Sequence, residues 1–234
     1  HNDSLIRDAQ QPPAQKVAVA PEKTPTNPSG IIGQSIAMQK VFRAIGRLSH
    51  MPMTVLITGE SGTGKELIAR AIHEMSGCTG AFVPVNCGAI PGNLLESELF
   101  GHVRGAYSGA MTTRAGLFEQ AHGGTLLLDE VSELAPAVQA KLLRVLETGE
   151  LRRLGEGSPK RVDVRLVCAT NRDLLAEVRA GRFRADLYYR IASVVTTLPP
   201  LRERVEDVLP LCQHFMADFC QDPCELPALD DALR

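Results

Sequence analysis

Apolar positions along the chain follow two alternating rhythms. Short β-branched runs fall at 54–58, 82–86, 125–129, 162–170 and 193–198, the signature of strands buried on both faces. Between them the apolar residues return with a helical period. Residues 65–76 place Leu67, Ile68, Ala71, Ile72 and Met75 on one helical face, and 137–147 does so with Val138, Leu142, Val145 and Leu146. This alternation predicts an α/β fold, a parallel sheet flanked by helices on both faces. Beyond Pro199 and Pro200 the pattern turns helical, with 205–219 the next candidate.

Composition sets the edges of this unit. Between Asp3 and Ser29 lie Pro12, Pro13, Pro21, Pro25 and Pro28, with few large apolar side chains, too little to offset the entropy of ordering. The expected organisation is a flexible Pro-rich linker over 1–29, the α/β core over 30–200 and, over 201–234, the beginning of a truncated helical lid. His1 is not an initiator Met, so a longer parent chain with flanking modules is expected. The 25 Lys and Arg against 27 Asp and Glu leave a formal charge of −2, without the basic excess that holds nucleic acid by general phosphate attraction. No run approaches the ~18 apolar residues of a membrane span, and no charged-then-apolar leader opens the chain. Six irregularly spaced cysteines are too sparse for a disulfide scaffold. A cytoplasmic chain with reduced thiols and no membrane partner is expected.

The first chemistry follows the first strand. Gly59, Glu60, Ser61, Gly62, Thr63, Gly64, Lys65 and Glu66 join that strand to the amphipathic helix, the strand–loop–helix setting of a phosphate-binding loop. The glycines let backbone N–H groups converge on an anion, the helix N-terminus adds partial positive charge, and Lys65 supplies a cation for the β- and γ-phosphates. The generic motif ends in Ser or Thr, whereas Glu66 stands here. A Mg²⁺ ion must then lean on Asp129, phosphate oxygens and water. Asp129 and Glu130 close the apolar strand 125–129 at the edge where open α/β sheets bind ligands. Asp129 suits the metal shell, and Glu130 is the candidate that polarises an attacking water. Nucleoside triphosphate hydrolysis is the expected reaction.

Further segments narrow the kind of phosphate-loop protein. They are Glu98-Leu-Phe-Gly-His102, Gly105-Ala-Tyr-Ser-Gly-Ala110, Gly116-Leu-Phe-Glu-Gln-Ala121, Phe183-Arg-Ala-Asp-Leu-Tyr-Tyr-Arg-Ile191 and Leu198-Pro-Pro-Leu-Arg-Glu-Arg204. With 59–66, they resemble the AAA+ domain of bacterial enhancer-binding proteins, the NtrC-like activators of RNA polymerase carrying the σ54 factor. The resemblance spans about 31–219, and even Glu66 matches it. It implies an AAA+ P-loop NTPase core that forms homo-oligomeric rings, hexamers or heptamers, with ATP and Mg²⁺ at subunit interfaces. Hydrolysis in such rings moves a surface loop against σ54 and remodels the closed promoter complex. DNA is met only through a flanking domain.

The resemblance also implies roles by position. Gly105, Ala106, Tyr107, Ser108, Gly109 and Ala110 correspond to the σ54-contacting loop, with Tyr107 in place of the usual Phe and Ser108 in place of Thr. An exposed Tyr between two glycines suits a partner contact, the alternative being an ordinary loop whose Tyr packs back on its own domain. Asn86 resembles the residue that restrains the catalytic glutamate, and Asn171 the γ-phosphate sensor. A turn residue is the alternative at both positions. Arg184 and Arg190 match arginine fingers that enter the neighbouring subunit's site. Six positions on a helix rotate by about 240°, so the two are expected on different faces. A surface ion-pair role is the alternative for both. Ile32 and Gly33 stand where the family cradles adenine.

Other features carry less. Cys212, His214, Cys220 and Cys224 are close in sequence, but Pro223 interrupts the helix that would align the last two, and thiols more often serve as small apolar fillers than as zinc ligands. Arg152, Arg153, Lys160 and Arg161 are expected on a solvated rim or ring pore, with no helix-turn-helix pattern nearby. Two alternative functions stay open. One is a nucleotide-gated module that changes assembly state without turnover, against which Glu130 and the two finger candidates weigh. The other is an AAA+ regulator of a different polymerase form, against which the 105–110 loop weighs.

Overall fold

The structure, a computed structural model, describes residues 30–219. The Pro-rich stretch 1–29, the end of the expected lid, and Cys220 and Cys224 lie outside the described residues. In chain order come α1 (Ile36–Leu48), β1 (Val55–Thr58), α2 (Lys65–Met75), β2 (Phe82–Asn86) and α3 (Gly92–Phe100). There follow β3 (Gly101–His102), β4 (Arg114–Ala115), α4 (Leu117–Gln120), β5 (Thr125–Asp129) and α5 (Pro136–Thr148). The remainder is β6 (Glu150–Leu151), β7 (Lys160–Arg161), β8 (Arg165–Thr170), α6 (Leu174–Arg179), α7 (Ala185–Ile191), β9 (Val194–Thr197) and α8 (Val208–Phe219).

The main sheet has five strands in the order β2-β5-β8-β1-β9, every pair parallel. Its strands divide their side chains between two cores. Leu56, Leu126, Leu128, Leu166 and Cys168 face a cluster with Leu95, Phe118, Leu142 and Leu187. The residues between them, Val55, Ile57, Leu127, Val167 and Ala169, face a second cluster with Met38, Ile45, Ile68 and Ile72. Cover on both sides buries nearly every position of β1, β5 and β8, hence their near-continuous apolar runs, whereas the edge strands β2 and β9 leave Pro84, Val195 and Thr197 exposed. Truncating one of these central leucines to Ala would cost about 2–5 kcal/mol.

The helices begin and end where local chemistry dictates. The Ser35 hydroxyl accepts the Met38 N–H at 3.2 Å and caps α1. Pro136 opens α5, and Gly149, with φ 67°, closes it in the left-handed conformation. α5 buries Val138, Leu142 and Val145 of its expected stripe, with Leu146 half-buried and the polar Gln139 buried beside them.

Four expectations shift on folding. The run 162–170 forms a strand only from Arg165, because the Val162 N–H donates to the Gly149 carbonyl at the end of a small antiparallel ribbon of 150–151 with 160–161, and Asp163 is tied to His122 and Gly123. Residues 205–207 make a 3₁₀ turn before α8 begins at Val208. Leu67, expected on the buried face of α2, is half exposed. Arg184 precedes α7 as its N-cap, so the rotation argument places only Arg190 on that helix. Among the described residues no helix is long and apolar enough to cross a membrane.

Candidate functional site

Strand carboxyl ends bring the candidate residues to one edge of the sheet. β1 delivers the loop 59–64, β5 ends in Asp129, β8 in Thr170, and β2 in Asn86, which stands opposite Asp129 in the ladder. The loop is braced by its surroundings. The Gly59 N–H donates to the Thr170 carbonyl at 3.2 Å, and the Thr63 hydroxyl to the Glu60 carbonyl at 2.8 Å. Gly64 adopts φ 95° as it turns into α2, a conformation costly for a residue with a Cβ. Lys65 is 8 % exposed, and its ammonium donates to the carbonyls of Gly59 at 3.0 Å and Glu60 at 2.9 Å. Glu66 points outward, paired with Arg70 at 3.3 Å one turn along α2.

Beside the loop lies a cleft of about 560 Å³. Its walls include Ile31, Ile32, Met38 and Leu67 together with the phosphate loop, and Leu201, Leu211 and Phe215 from the segment after the sheet. Leu67 is exposed because it faces this cleft. Ile32 lines it, whereas Gly33 packs against Met38, where a Cβ would come within 2.9 Å of the Met38 Cβ. A smaller cavity, of about 360 Å³, lies on the other side of the loop and is lined by Thr58, Gly59, Glu60, Asn171 and Tyr188 among others.

The two acids are held differently. Asp129 Oδ1 accepts the N–H of Glu130 at 2.9 Å. Glu130 has φ 52°, the one non-glycine among the described residues with positive φ, a strain of about 1–3 kcal/mol that the surrounding fold must sustain. Its carboxylate rests over Gly88, where a Cβ would come within 2.2 Å of Oε2 and 3.3 Å of Asn86 Oδ1. That Asn86 oxygen accepts the N–H groups of Gly88 at 2.8 Å and Ala89 at 3.1 Å. Asn86 thus shapes the turn on which the Glu130 carboxylate sits. Burial first, and then the field of Asp129 and Glu130, pushes the thiol of neighbouring Cys87 up to about 12, so it stays neutral and unreactive.

The donor set fits a hard divalent cation only in part. Among the described residues no group of three or more His, Cys, Asp and Glu is arranged to hold a metal ion, and no hydroxyl follows Lys65. A single carboxylate at Asp129 suits Mg²⁺, which keeps several waters and shares phosphate oxygens.

The two arginines do not enter this edge within one chain. Arg184 pairs with Asp186 at 2.7 and 3.0 Å, and Arg190 donates to the Leu146 carbonyl at 2.8 Å. Both are exposed. Asn171 is also exposed, and its neighbour Arg172 pairs with Glu133 at 2.6 Å. Of the basic patch, Arg153 is drawn into a bidentate pair with Glu119, both contacts at 2.6 Å, rather than standing on a solvated rim.

The loop 105–110 is closed by hydrogen bonds from Gly105 N–H to the Ala110 carbonyl at 2.9 Å and from Ala110 N–H to the Tyr107 carbonyl at 3.0 Å. Tyr107 is 39 % exposed, with its ring edge-on to His102 at 5.3 Å and its hydroxyl 3.4 Å from Ser97 Oγ. The alternative of a Tyr packed on its own domain is therefore partly realised.

Sequence reasoning missed several residues. Gln139 is fully buried, donating to the carbonyls of Leu134 and Arg182 and accepting the Arg184 N–H at 2.8 Å, so it sets the entry into α7. The run Arg202-Glu-Arg204 stands in the sequence only as the end of a motif, and nothing there singles out Asp207. The charge pattern of that run after two prolines was the available signal.

The family described as "Sigma-54 interaction domain" matches residues 31–197. A Nif-specific regulatory protein of Azorhizobium caulinodans is 55 % identical over 191 residues, which is 81 % of this chain and 31 % of that protein. The DNA-binding transcriptional regulator NtrC of Rhizobium meliloti is 51 % identical over 201 residues, 86 % of this chain and 42 % of that protein. The chain thus spans less than half the length of these curated relatives. Among solved structures, NtrX from Brucella abortus in complex with ATP aligns with a TM-score of 0.75 at 38 % identity, covering 81 % of this chain and 41 % of that one. The P-loop NTPase domain of an E. coli sigma-54 activator shares the fold with a TM-score of 0.50 at 22 % identity, covering 73 % of this chain and 99 % of that one.

Proposed function

Because the chain belongs to the sigma-54 interaction domain family of AAA+ P-loop transcriptional activators, we propose that it binds ATP with Mg²⁺ and hydrolyses it to remodel RNA polymerase carrying σ54. The observation that carries the reading is the strained Glu130 beside Asp129 at the same sheet edge as Lys65. Strain of this kind gathers at sites of chemistry, and a phosphate-binding loop alone does not require a second acid there.

In this reading Lys65 leaves its two loop carbonyls for the β- and γ-phosphates, and the α2 N-terminus adds its amides. Ile32, Leu67 and Phe215 enclose the base. Asp129 would hold Mg²⁺, which neutralises charge on the phosphates. Glu130 orients the attacking water and takes its proton, positioned by the Asn86 turn beneath it. Asn171 faces the γ-phosphate from the second cavity. Arg184, its backbone fixed by Gln139, and Arg190 serve a neighbouring protomer's site in a homo-oligomeric ring. Residues 105–110 present Tyr107 to σ54, the hydroxyl of Ser108 beside it. The setting is the cytoplasm, and DNA is reached through a flanking domain.

Steady-state phosphate release against protein concentration tests this reading. Turnover should rise steeply with concentration as protomers share sites, and vanish in Lys65→Ala and Glu130→Gln. ATP binding without turnover at any concentration would instead establish the nucleotide-gated module.

A further inference from the structure

A distant stretch of chain, 200–207, clasps the phosphate loop through Arg202 and Arg204 and the start of α1 through Asp207. Arg202 grips the Glu60 carboxylate at both oxygens, 2.6 and 2.8 Å. Arg204, 7 % exposed, donates from Nη2 to the Thr63 carbonyl at 3.2 Å. Asp207, fully buried, accepts the N–H groups of Gln34 at 2.5 Å and Ser35 at 2.8 Å and the Ser35 hydroxyl at 2.6 Å. Arg204 and Asp207 fix the strap. The Arg202–Glu60 pair lies on its outer side, with side chains 66 % and 56 % exposed, where such pairs contribute little to folding.

Its position gives it another use. Glu60 borders both the larger cleft and the smaller cavity beside the phosphate loop, and its own carbonyl accepts Lys65 and Thr63. Hydrogen bonding from Arg202, opposed by desolvation and aided by the Arg202 charge, holds the Glu60 carboxyl below the usual carboxylate range. A permanent negative charge therefore stands on a loop that must receive a polyanion, and like charges at such range repel.

We propose that Arg202 is a positioning residue for nucleoside polyphosphate binding, cancelling the Glu60 charge at the rim of the phosphate loop while fastening the strap to it. This deepens the reading of the cleft as a nucleotide site and rests on it. Glu60 without Arg202 repels the ligand. With both charges removed, the repulsion is gone. The signature is therefore rescue: a defect created at Arg202 and relieved at Glu60.

The test is titration of the 234-residue chain with a fluorescent ATP analogue, in wild type, Arg202→Ala, Glu60→Gln, the double variant and Arg202→Lys, with thermal melts to confirm folding. Arg202→Ala should weaken binding about tenfold, and the defect should shrink as ionic strength rises. Glu60→Gln should bind at least as well as wild type, the double variant should return to within about threefold of wild type, and Arg202→Lys should recover part of the loss. A double variant as weak as Arg202→Ala would overturn the proposal, because Arg202 would then be touching the phosphates itself. Binding unchanged in Arg202→Ala would overturn it too. If wild type binds no better than Lys65→Ala, it is the nucleotide reading that fails.

Discussion

Two glycine-punctuated loops, 59–64 and 105–110, differ in what surrounds them. The first is held from several directions: Thr170 receives Gly59, Arg202 grips Glu60, and Arg204 reaches Thr63. The second mainly closes on itself. Its links to the rest of the fold include the Tyr107 contacts with Ser97 and His102, the Ala106 N–H bond to the Val103 carbonyl, the buried Ala110, and the packing of Ala106 near Gly155, where a Cβ would meet that of Ala106 at 3.0 Å. Gly105 and Gly109, at φ 82° and 110°, have open space around them. Glycine content alone thus does not tell a rigid loop from a hinged one. On the proposed function, the loop that presents an anion cradle is braced by neighbours, and the one that would reach a partner has fewer ties to break.

The sharpest break in this comparison is Lys65→Ala. It should weaken ATP binding at least about 100-fold, or ~2.8 kcal/mol, measured by titration with a fluorescent analogue, while leaving the 105–110 loop able to fold. Asp207→Ala comes next. Three donors lose a buried charged acceptor, so chemical denaturation should report a loss of about 2–3 kcal/mol. Tyr107→Ala should act on the other loop alone, weakening association with σ54 about tenfold with ATP affinity within about twofold of wild type. Tyr107→Phe removes only the long hydroxyl contact and should shift stability by less than about 0.5 kcal/mol. A large loss there would mean that the second loop is braced as firmly as the first.

A pH titration separates the small ribbon from both loops. Glu119 is held below its ordinary range, chiefly by hydrogen bonding from Arg153. A depressed carboxylate contributes stability above its unfolded value, near 4.5, and that contribution disappears as pH falls through the lower folded value. Acid unfolding of Glu119→Gln should accordingly be less steep than that of wild type below about pH 4.5.

The setting of 59–66 between β1 and α2, and of Asp129 and Glu130 at the end of β5, was legible in the sequence because the pattern is local: a strand, a turn and a helix start within a dozen positions, or an apolar run ending in acids. The parallel sheet was legible for a similar reason, since two-sided burial marks its central strands β1, β5 and β8. The strap's contacts were not legible because Arg202, Arg204 and Asp207 find partners 141 to 173 positions away, and no periodicity records such distances. Gln139 looked like one more polar residue on α5, although burial and three hydrogen bonds make it a brace. Leu67 carried an apolar signal that meant a cleft wall rather than core. The strand expected from 162 was cut short by a ribbon whose pairing depends on a return of the chain.

Sedimentation of the chain with purified σ54 in the presence of an ADP–aluminium fluoride complex, which mimics the γ-phosphate during transfer, tests the central claim most directly. The account predicts co-sedimentation that requires the complex and is lost in Tyr107→Ala and Lys65→Ala alike. Association that is independent of nucleotide, or that survives Tyr107→Ala unchanged, would contradict it.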